Sequence, residues 1–220
     1  MAQPDNIYQR VEGSHWRHVW VVGDLHGCFS LLMVRLRQCQ FDPRQDLLVS
    51  VGDVIDRGPD SLRCLRLLRK SWIVAVRGNH EQMALDALHN KSFGLWLMNG
   101  GVWFAELKGE EQQQALELFR QCERLPWIIE ITCANGVNVI AHADYPSSQY
   151  EWDKPVPKQQ ILWDRERLRE LMSGQEKGIA GADHFWFGHT PLGKRFDCQN
   201  LHYIDTGAVF GGTLTLAQLQ

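Results

Sequence analysis

Residues 73–83 read I-V-A-V-R-G-N-H-E-Q-M. Four apolar residues give way abruptly to a cation, a glycine, an amide, an imidazole and a carboxylate. A short apolar run rich in Val and Ile suits a strand buried on both faces. The polar groups after it are costly to bury, so the run predicts a strand that delivers chemistry at its carboxyl end. The same pattern occurs twice upstream. The apolar run 18–22 leads into Gly23-Asp24-Leu25-His26-Gly27, and 47–51 leads into Gly52-Asp53-Val54-Ile55-Asp56-Arg57-Gly58. Helical patterns follow at 30–38, 61–70 and 81–88. This alternation predicts β-α-β units and an α/β fold, in which ligands bind outside the carboxyl ends of the strands.

Farther along, residues 83–125 hold no strand pattern and read as a helical insert. Within it, Ala115, Leu118, Phe119, Cys122 and Leu125 form one helical stripe, and Pro126 stops it. Strand patterns return at 127–132, 137–141, 184–187, 201–204 and 213–216. Asn135-Gly136 between the first two is a hairpin signal. Residues 147–158 read as a surface loop and 159–172 as one helix.

The 220 residues are 44% apolar, enough for a sizeable core, and nothing marks a domain boundary, so one domain over 1–220 is expected. The charges nearly balance, 23 basic against 26 acidic, which leaves no footprint for bulk nucleic-acid binding. The start, M-A-Q-P-D-N-I-Y-Q-R, lacks a basic-then-apolar leader, and the apolar runs are far shorter than a membrane span. The expectation is a soluble cytoplasmic monomer with no membrane partner. Six scattered cysteines without C-x-x-C argue against a disulfide framework or a cysteine zinc site.

A lone Asp, Asn or His after a strand is ordinarily a turn, a cap or a packed side chain. The joint pattern carries more weight. Asp24 and His26, two apart on extended backbone, point to one side. Asp53 and Asn79 follow at intervals of 29 and 26 residues, one β-α unit each. His142 and His189 end later strands. Oxygen and imidazole donors without thiolate suit Mn²⁺, Fe²⁺, Ni²⁺ or Zn²⁺. The set exceeds one ion's needs, and two metals sharing a carboxylate are a standard device for in-line attack on phosphorus.

G-D-L-H-G, G-D-V-I-D-R-G, R-G-N-H-E and G-H-T, in this order and spacing, resemble the calcineurin-like metallophosphoesterases, and more narrowly the PPP-type serine/threonine protein phosphatases. V-V-G-D-L-H-G-C, A-V-R-G-N-H-E-Q-M, W-L-M-N-G-G, I-A-H-A-D-Y-P and Y-I-D-T-G-A-V-F are similar to the small bacterial and phage branch, over nearly the whole chain. The resemblance implies two mixed β-sheets packed as a central sandwich flanked by helices. It implies two divalent ions, manganese first, with iron, zinc or nickel as alternatives. Asp24, His26 and Asp53 would hold one; Asp53, Asn79, His142 and His189 would hold the other, with Asp53 bridging. Arg57, Arg77 and Arg165 would grip phosphate, with Arg167 close enough to be confused with Arg165. His80, paired with Asp56, would protonate the leaving oxygen. The implied reaction is hydrolysis of phosphoserine or phosphothreonine in a phosphoprotein, with phosphotyrosine or phosphohistidine not excluded, by direct attack of a dimetal-bound hydroxide. Diadenosine tetraphosphate hydrolases share G-D-x-H-G, G-D-x-x-D-R-G and G-N-H and are the alternative. Two further readings stay open. Asp164 is a solvent-facing helix cap or an anion disturbing Arg165. Trp96 and Trp103, around Asn99-Gly100-Gly101, are core packing or a cleft wall.

Overall fold

The structure, a computed structural model, describes residues 7–175 and 177–220. The first six residues, on which the leader reading partly rests, lie outside that range. The amino-terminal half runs β1 (Tyr8–Glu12), β2 (His18–Val22), α1 (Phe29–Gln38), β3 (Asp46–Ser50), α2 (Ser61–Leu67), β4 (Ile73–Ala75) and α3 (Asn79–Asn90). The insert follows as α4 (Gly94–Trp96), a wider π-type turn over Leu97–Gly101, α5 (Val102–Glu106) and α6 (Glu110–Cys122). The remainder is β5 (Ile128–Cys133), β6 (Gly136–Ala141), α7 (Lys158–Trp163), α8 (Glu166–Met172), β7 (His184–Phe187), β8 (Phe196–Cys198), β9 (Leu201–Tyr203) and β10 (Leu216–Gln218).

The strands form two mixed sheets, one ordered β10-β2-β3-β4 and the other β1-β5-β6-β7-β9-β8. In the first, β2, β3 and β4 are parallel, and β10 closes the edge antiparallel to β2. In the second, β6, β7 and β9 are parallel neighbours. Period-two alternation sorts each strand's side chains between layers. Val19, Val21, Leu47, Val49, Ile129, Ile131, Ile140 and Trp186 share the core between the sheets. Val22 and Leu48 face the helical side with Leu32, Leu65, Trp96 and Phe119. On the far side, Ile128, Val139 and Phe185 pack with Ile161, Leu162 and Leu168 of α7 and α8. Both sheets are therefore covered on two faces. The parallel strands of each bring their carboxyl ends to one edge, where the polar loops meet.

Several expectations needed adjustment. β1 and β8 were not foreseen. β1 is an edge strand in which only Tyr8 is buried and the charged Arg10 and Glu12 are exposed, and β8 is a three-residue edge strand on β9. The last strand begins at Leu216 rather than 213. Tyr150, inside the presumed surface loop, is buried against Tyr145 and Phe185. The single helix expected over 159–172 is two. Asp164 is extended (φ −67°, ψ 143°), and its Oδ1 accepts the Glu166 N–H at 2.8 Å. A side chain capturing a backbone donor in this way competes with the helical ladder. A hairpin forms around Asn135-Gly136, but its two turn residues are Ala134 and Asn135, and Gly136, at φ +114°, opens β6 opposite Cys133.

Candidate active site

Asp24 and His26 follow β2, Asp53 follows β3, and Asn79 opens α3 just after β4. His142 follows β6 and His189 follows β7. All six are nearly or fully buried, and the structure brings them together. Asp53 Oδ2 is central: it lies 3.4 Å from His142 Nε2, 3.6 Å from His26 Nε2 and 3.9 Å from His80 Nε2. Asn79 Oδ1 lies 2.8 Å from His142 Nε2 and 3.0 Å from His189 Nδ1. Asp24 Oδ2 is 4.0 Å from His26 Nε2, and its carboxylate accepts the His189 backbone N–H.

The imidazole tautomers fit metal ligation. His26 Nδ1 lies 2.9 Å from the Ile55 carbonyl, and His142 Nδ1 lies 2.8 Å from that of Val51. A carbonyl can only accept, so each Nδ1 carries a proton, and each Nε2 is the ring atom turned toward Asp53. This is the outer-shell arrangement that orients ligating histidines. Burial pushes His26 down to about 4. Burial and neighbouring His142 push His189 down to about 3. Burial opposes charge on His142 too, but the Asp53 carboxylate outweighs it and holds His142 above its ordinary value.

Carboxyl groups crowd the same space. Burial, then the charges of Asp205 and Asp53, hold Asp24 well above the usual carboxylate range. Burial also works against ionised Asp53, yet the surrounding His142, His80 and His26 hold it well below that range. Two divalent cations would relieve the repulsion, and the groups His26–Asp53–His80 and Asp53–His142–His189 each present donor atoms within reach of one ion. The residues present fit such a pair.

The backbone here is unusual. Of the nine non-glycine residues with positive φ among the described residues, five are His26, Asp53, Asp56, Arg57 and His189. Such conformations are disfavoured and cluster at functional sites. Gly78 is required by close approach, because a Cβ there would collide with the Asp53 carboxylate and amide.

His80 is buried, and its Nδ1 stands 2.7 Å from Asp56 Oδ2. Its Nε2 has no hydrogen-bond partner and faces the cluster. The arginines differ. Arg57 is exposed at the mouth, with Nη1 2.6 Å from His26 Nε2. Arg165 is also exposed, and its Nε donates to His189 Nε2 at 3.2 Å. Arg167 instead binds Asp144 and the carbonyls of Tyr145 and Ser147, so Arg165 is the one at the cluster. Arg77 is 2% exposed, and its guanidinium donates to Gln82 and to the carbonyls of Glu123 and Leu125 beyond α6. Its charge is set against the carboxyl end of α6, where the helix dipole favours a cation.

One residue at the site carried no role in the sequence reading. Glu81, within R-G-N-H-E, is fully buried and accepts the backbone N–H groups of Asp53, Val54 and Gly78, each at 2.9 Å. Burial, then the charge of Asp53, pushes it up to about 7. Its place three residues into α3, where carboxylates commonly cap a helix start, was the available signal. Trp96 is buried in the core and Trp103 packs against it, as the core-packing reading expects, and both indoles also donate to Asp56. Beside the site lies a groove of about 610 Å³ lined by Gln82, Met83, Asp86, Leu95, Lys158 and Trp163. Trp163 also packs edge-on against His189.

This fold, with carboxylates and histidines gathered at the strand ends, defines a metallophosphoesterase. Residues 17–206 match the family described as calcineurin-like phosphoesterase, and the chain belongs to it. The chain is 65% identical over 220 residues, covering 100% of both proteins, to serine/threonine-protein phosphatase 1 of Salmonella typhimurium. It is 45% identical over 217 residues, 99% of this chain and 100% of the other, to serine/threonine-protein phosphatase 2 of Escherichia coli. Among solved structures, one described as "a putative diadenosine tetraphosphatase" superposes with a TM-score of 0.72, covering 98% of this chain and 94% of that one at 24% identity. At that identity the likeness speaks for the fold alone.

Proposed function

We propose that this protein is a metal-dependent phosphoprotein phosphatase acting on phosphoserine and phosphothreonine. The observation that carries the reading is the His80–Asp56 pair, held at 2.7 Å with His80 Nε2 open toward Asp53. An alkoxide is a poor leaving group and needs a proton. The names of the two relatives matched over their full lengths support the protein substrate.

Asp24, His26 and Asp53 would hold one divalent cation; Asp53, Asn79, His142 and His189 would hold the second, with manganese as the proposed metal. Bound there, such cations supply Lewis-acid polarisation of a phosphoryl oxygen and a water made acidic enough to serve as nucleophile near neutral pH. The chain's own residues do the rest. Arg57 and Arg165, exposed and set against His26 and His189 respectively, grip the dianionic phosphate. Arg57 would yield the His26 Nε2 lone pair to the cation, so that both guanidiniums are free to meet the phosphate. Their charges stabilise the equatorial oxygens as the bond breaks. His80 gives its Nε2 proton to the leaving serine or threonine oxygen, and Asp56 fixes the ring through Nδ1. The groove past Trp163 would receive residues flanking the phosphorylated side chain.

The test strips the protein with chelator and restores it with Mn²⁺. Phosphate release from a phosphoserine/phosphothreonine peptide set is then compared with cleavage of diadenosine tetraphosphate, with Asp24→Asn as the control. The expected result is peptide turnover well above dinucleotide cleavage, absent before Mn²⁺ is restored and lost in the mutant. The reverse preference would reassign the substrate to dinucleoside polyphosphates.

A further inference from the structure

Asp56 is fully buried, and its carboxylate meets three N–H groups. His80 lies against Oδ2 at 2.7 Å. Trp103 Nε1 donates to Oδ1 at 2.7 Å, and Trp96 Nε1 reaches both oxygens, at 3.1 and 2.9 Å. An indole N–H donates and never accepts, so both carboxylate oxygens are fixed as acceptors. The two indoles lie 40 and 47 residues downstream of Asp56 in sequence, in the insert, not in the loop that carries the site. The backbone adds another tie from the same segment. The Arg57 N–H donates to the Gly100 carbonyl at 3.2 Å. Gly100 has φ +107°, and a Cβ there would sit 2.8 Å from the Arg57 amide nitrogen. The held residues are strained: Asp56 has φ 74° and Arg57 φ 68°. One helical segment thus clasps two consecutive left-handed residues by three attachments.

We propose that Trp96 and Trp103 are positioning residues for proton transfer: their indole N–H groups hold the Asp56 carboxylate in the orientation that aims His80 Nε2 at the leaving oxygen. This rests on the reading of His80 as general acid. A buried carboxylate with one donor could rotate about its terminal torsion, which is soft, and carry the imidazole with it. Donors on both oxygens remove that freedom, and a few tenths of an ångström at the proton donor matter to rate. Ring packing is a separate matter. Trp96 touches Phe93, Phe104 and Phe119, and Trp103 touches Phe104 and Phe119. Phenylalanine keeps much of that contact while deleting only the N–H, so Trp→Phe variants separate positioning from packing.

The experiment measures kcat and KM of the Mn²⁺-loaded full-length protein on a phosphoserine peptide and on p-nitrophenyl phosphate. It compares wild type, His80→Asn, Trp103→Phe and Trp96→Phe. An aryl leaving group is stable as an anion and has little need of the acid. The expected result for each Trp→Phe variant is a fall of about tenfold in kcat on the peptide, with a much smaller fall on the aryl ester and little change in KM. Equal falls on both substrates, or an unchanged peptide kcat, would overturn the proposal. If Trp96→Phe does not fold, Trp103→Phe decides alone, because Trp103 is only half-buried at the edge of the aromatic cluster. If His80→Asn itself shows no selective loss on the peptide, the general-acid reading fails and takes the clasp with it. If His80→Asn is selective and the tryptophan variants are not, only the clasp fails.

Discussion

Glu81 has no solvent exposure, and its two oxygens accept three backbone N–H groups from the loops that present Asp53 and Asn79. It touches ligand-bearing backbone without needing to touch an ion. In Glu81→Gln, the side-chain amide would turn an N–H against one of these donors, so Asp53 would lose its fixed place. Outer-shell changes of this kind typically cost about 10–100-fold in metal affinity. Calorimetric titration with Mn²⁺ should show a loss of that order, and unchanged affinity would contradict the role. Gly78 belongs to the same device, since no side chain larger than hydrogen fits between it and Asp53.

At the level of elements, the break between α7 and α8 decides which arginine serves the site. A continuous helix would have carried residue 165 on around the cylinder. The extended Asp164, with its side chain bonded to the Glu166 N–H, lets Arg165 swing to His189 while Arg167 packs inward on Asp144. The two arginines should therefore fail differently. Arg165→Ala is expected to raise KM for phosphopeptides by about tenfold with an unchanged melting temperature, the effect of one lost charge-assisted contact. Arg167→Ala leaves Asp144 buried without its cation and should cost about 2–3 kcal/mol of stability. Kinetics and urea unfolding of both variants would expose an exchange of roles. Of the two readings of Asp164, the structure shows the cap: its Oδ1 accepts the Glu166 N–H.

For the molecule as a whole, the two sheets meet so that loops from both crowd acidic groups into one buried space. Asp24, Asp53, Asp205 and Glu81 lie together there, each with almost no exposure, and folding must overcome their repulsion. A cation that binds only the folded state stabilises it by mass action. Mn²⁺ should raise the melting temperature of chelator-stripped protein, and Asp53→Asn should abolish most of the rise. An ion pair away from the site contributes to acid stability. Asp46, at the start of β3, accepts from Arg17 and from the Asp42 amide and lies 3.2 Å from His18 Nδ1. Burial alone would raise it, but Arg17 and the Asp42 amide hold it below the usual carboxylate range. A carboxyl depressed in the folded state contributes stability above its unfolded value of about 3.9 and loses that stability as pH falls through the folded value. Asp46→Asn should thus be less stable than wild type by about 2 kcal/mol at pH 7, with the gap closing below roughly pH 4. Urea unfolding at both pH values measures this, and a constant gap would assign the loss to packing.

The sequence by itself determined the α/β class, the strand ends that carry polar residues and the candidate ligands, because each of these is written locally. An apolar run predicts a buried strand, and glycine beside Asp, His or Asn predicts a tight polar turn after it. The helical insert and a hairpin around Asn135-Gly136 were legible for the same reason. The edge strands β1 and β8 were not, since an edge buries one side and tolerates charges on the other. Tertiary structure alone decided which groups meet. The identical residue type became an exposed Arg57, a buried Arg77 and a packed Arg167 according to what lay opposite each. The partnership of Trp96 and Trp103 with Asp56 spans 40 and 47 residues, and no periodicity records it. Hydrogen bonds across such distances depend on how whole elements dock, and docking is set by the packed core rather than by neighbours in the chain.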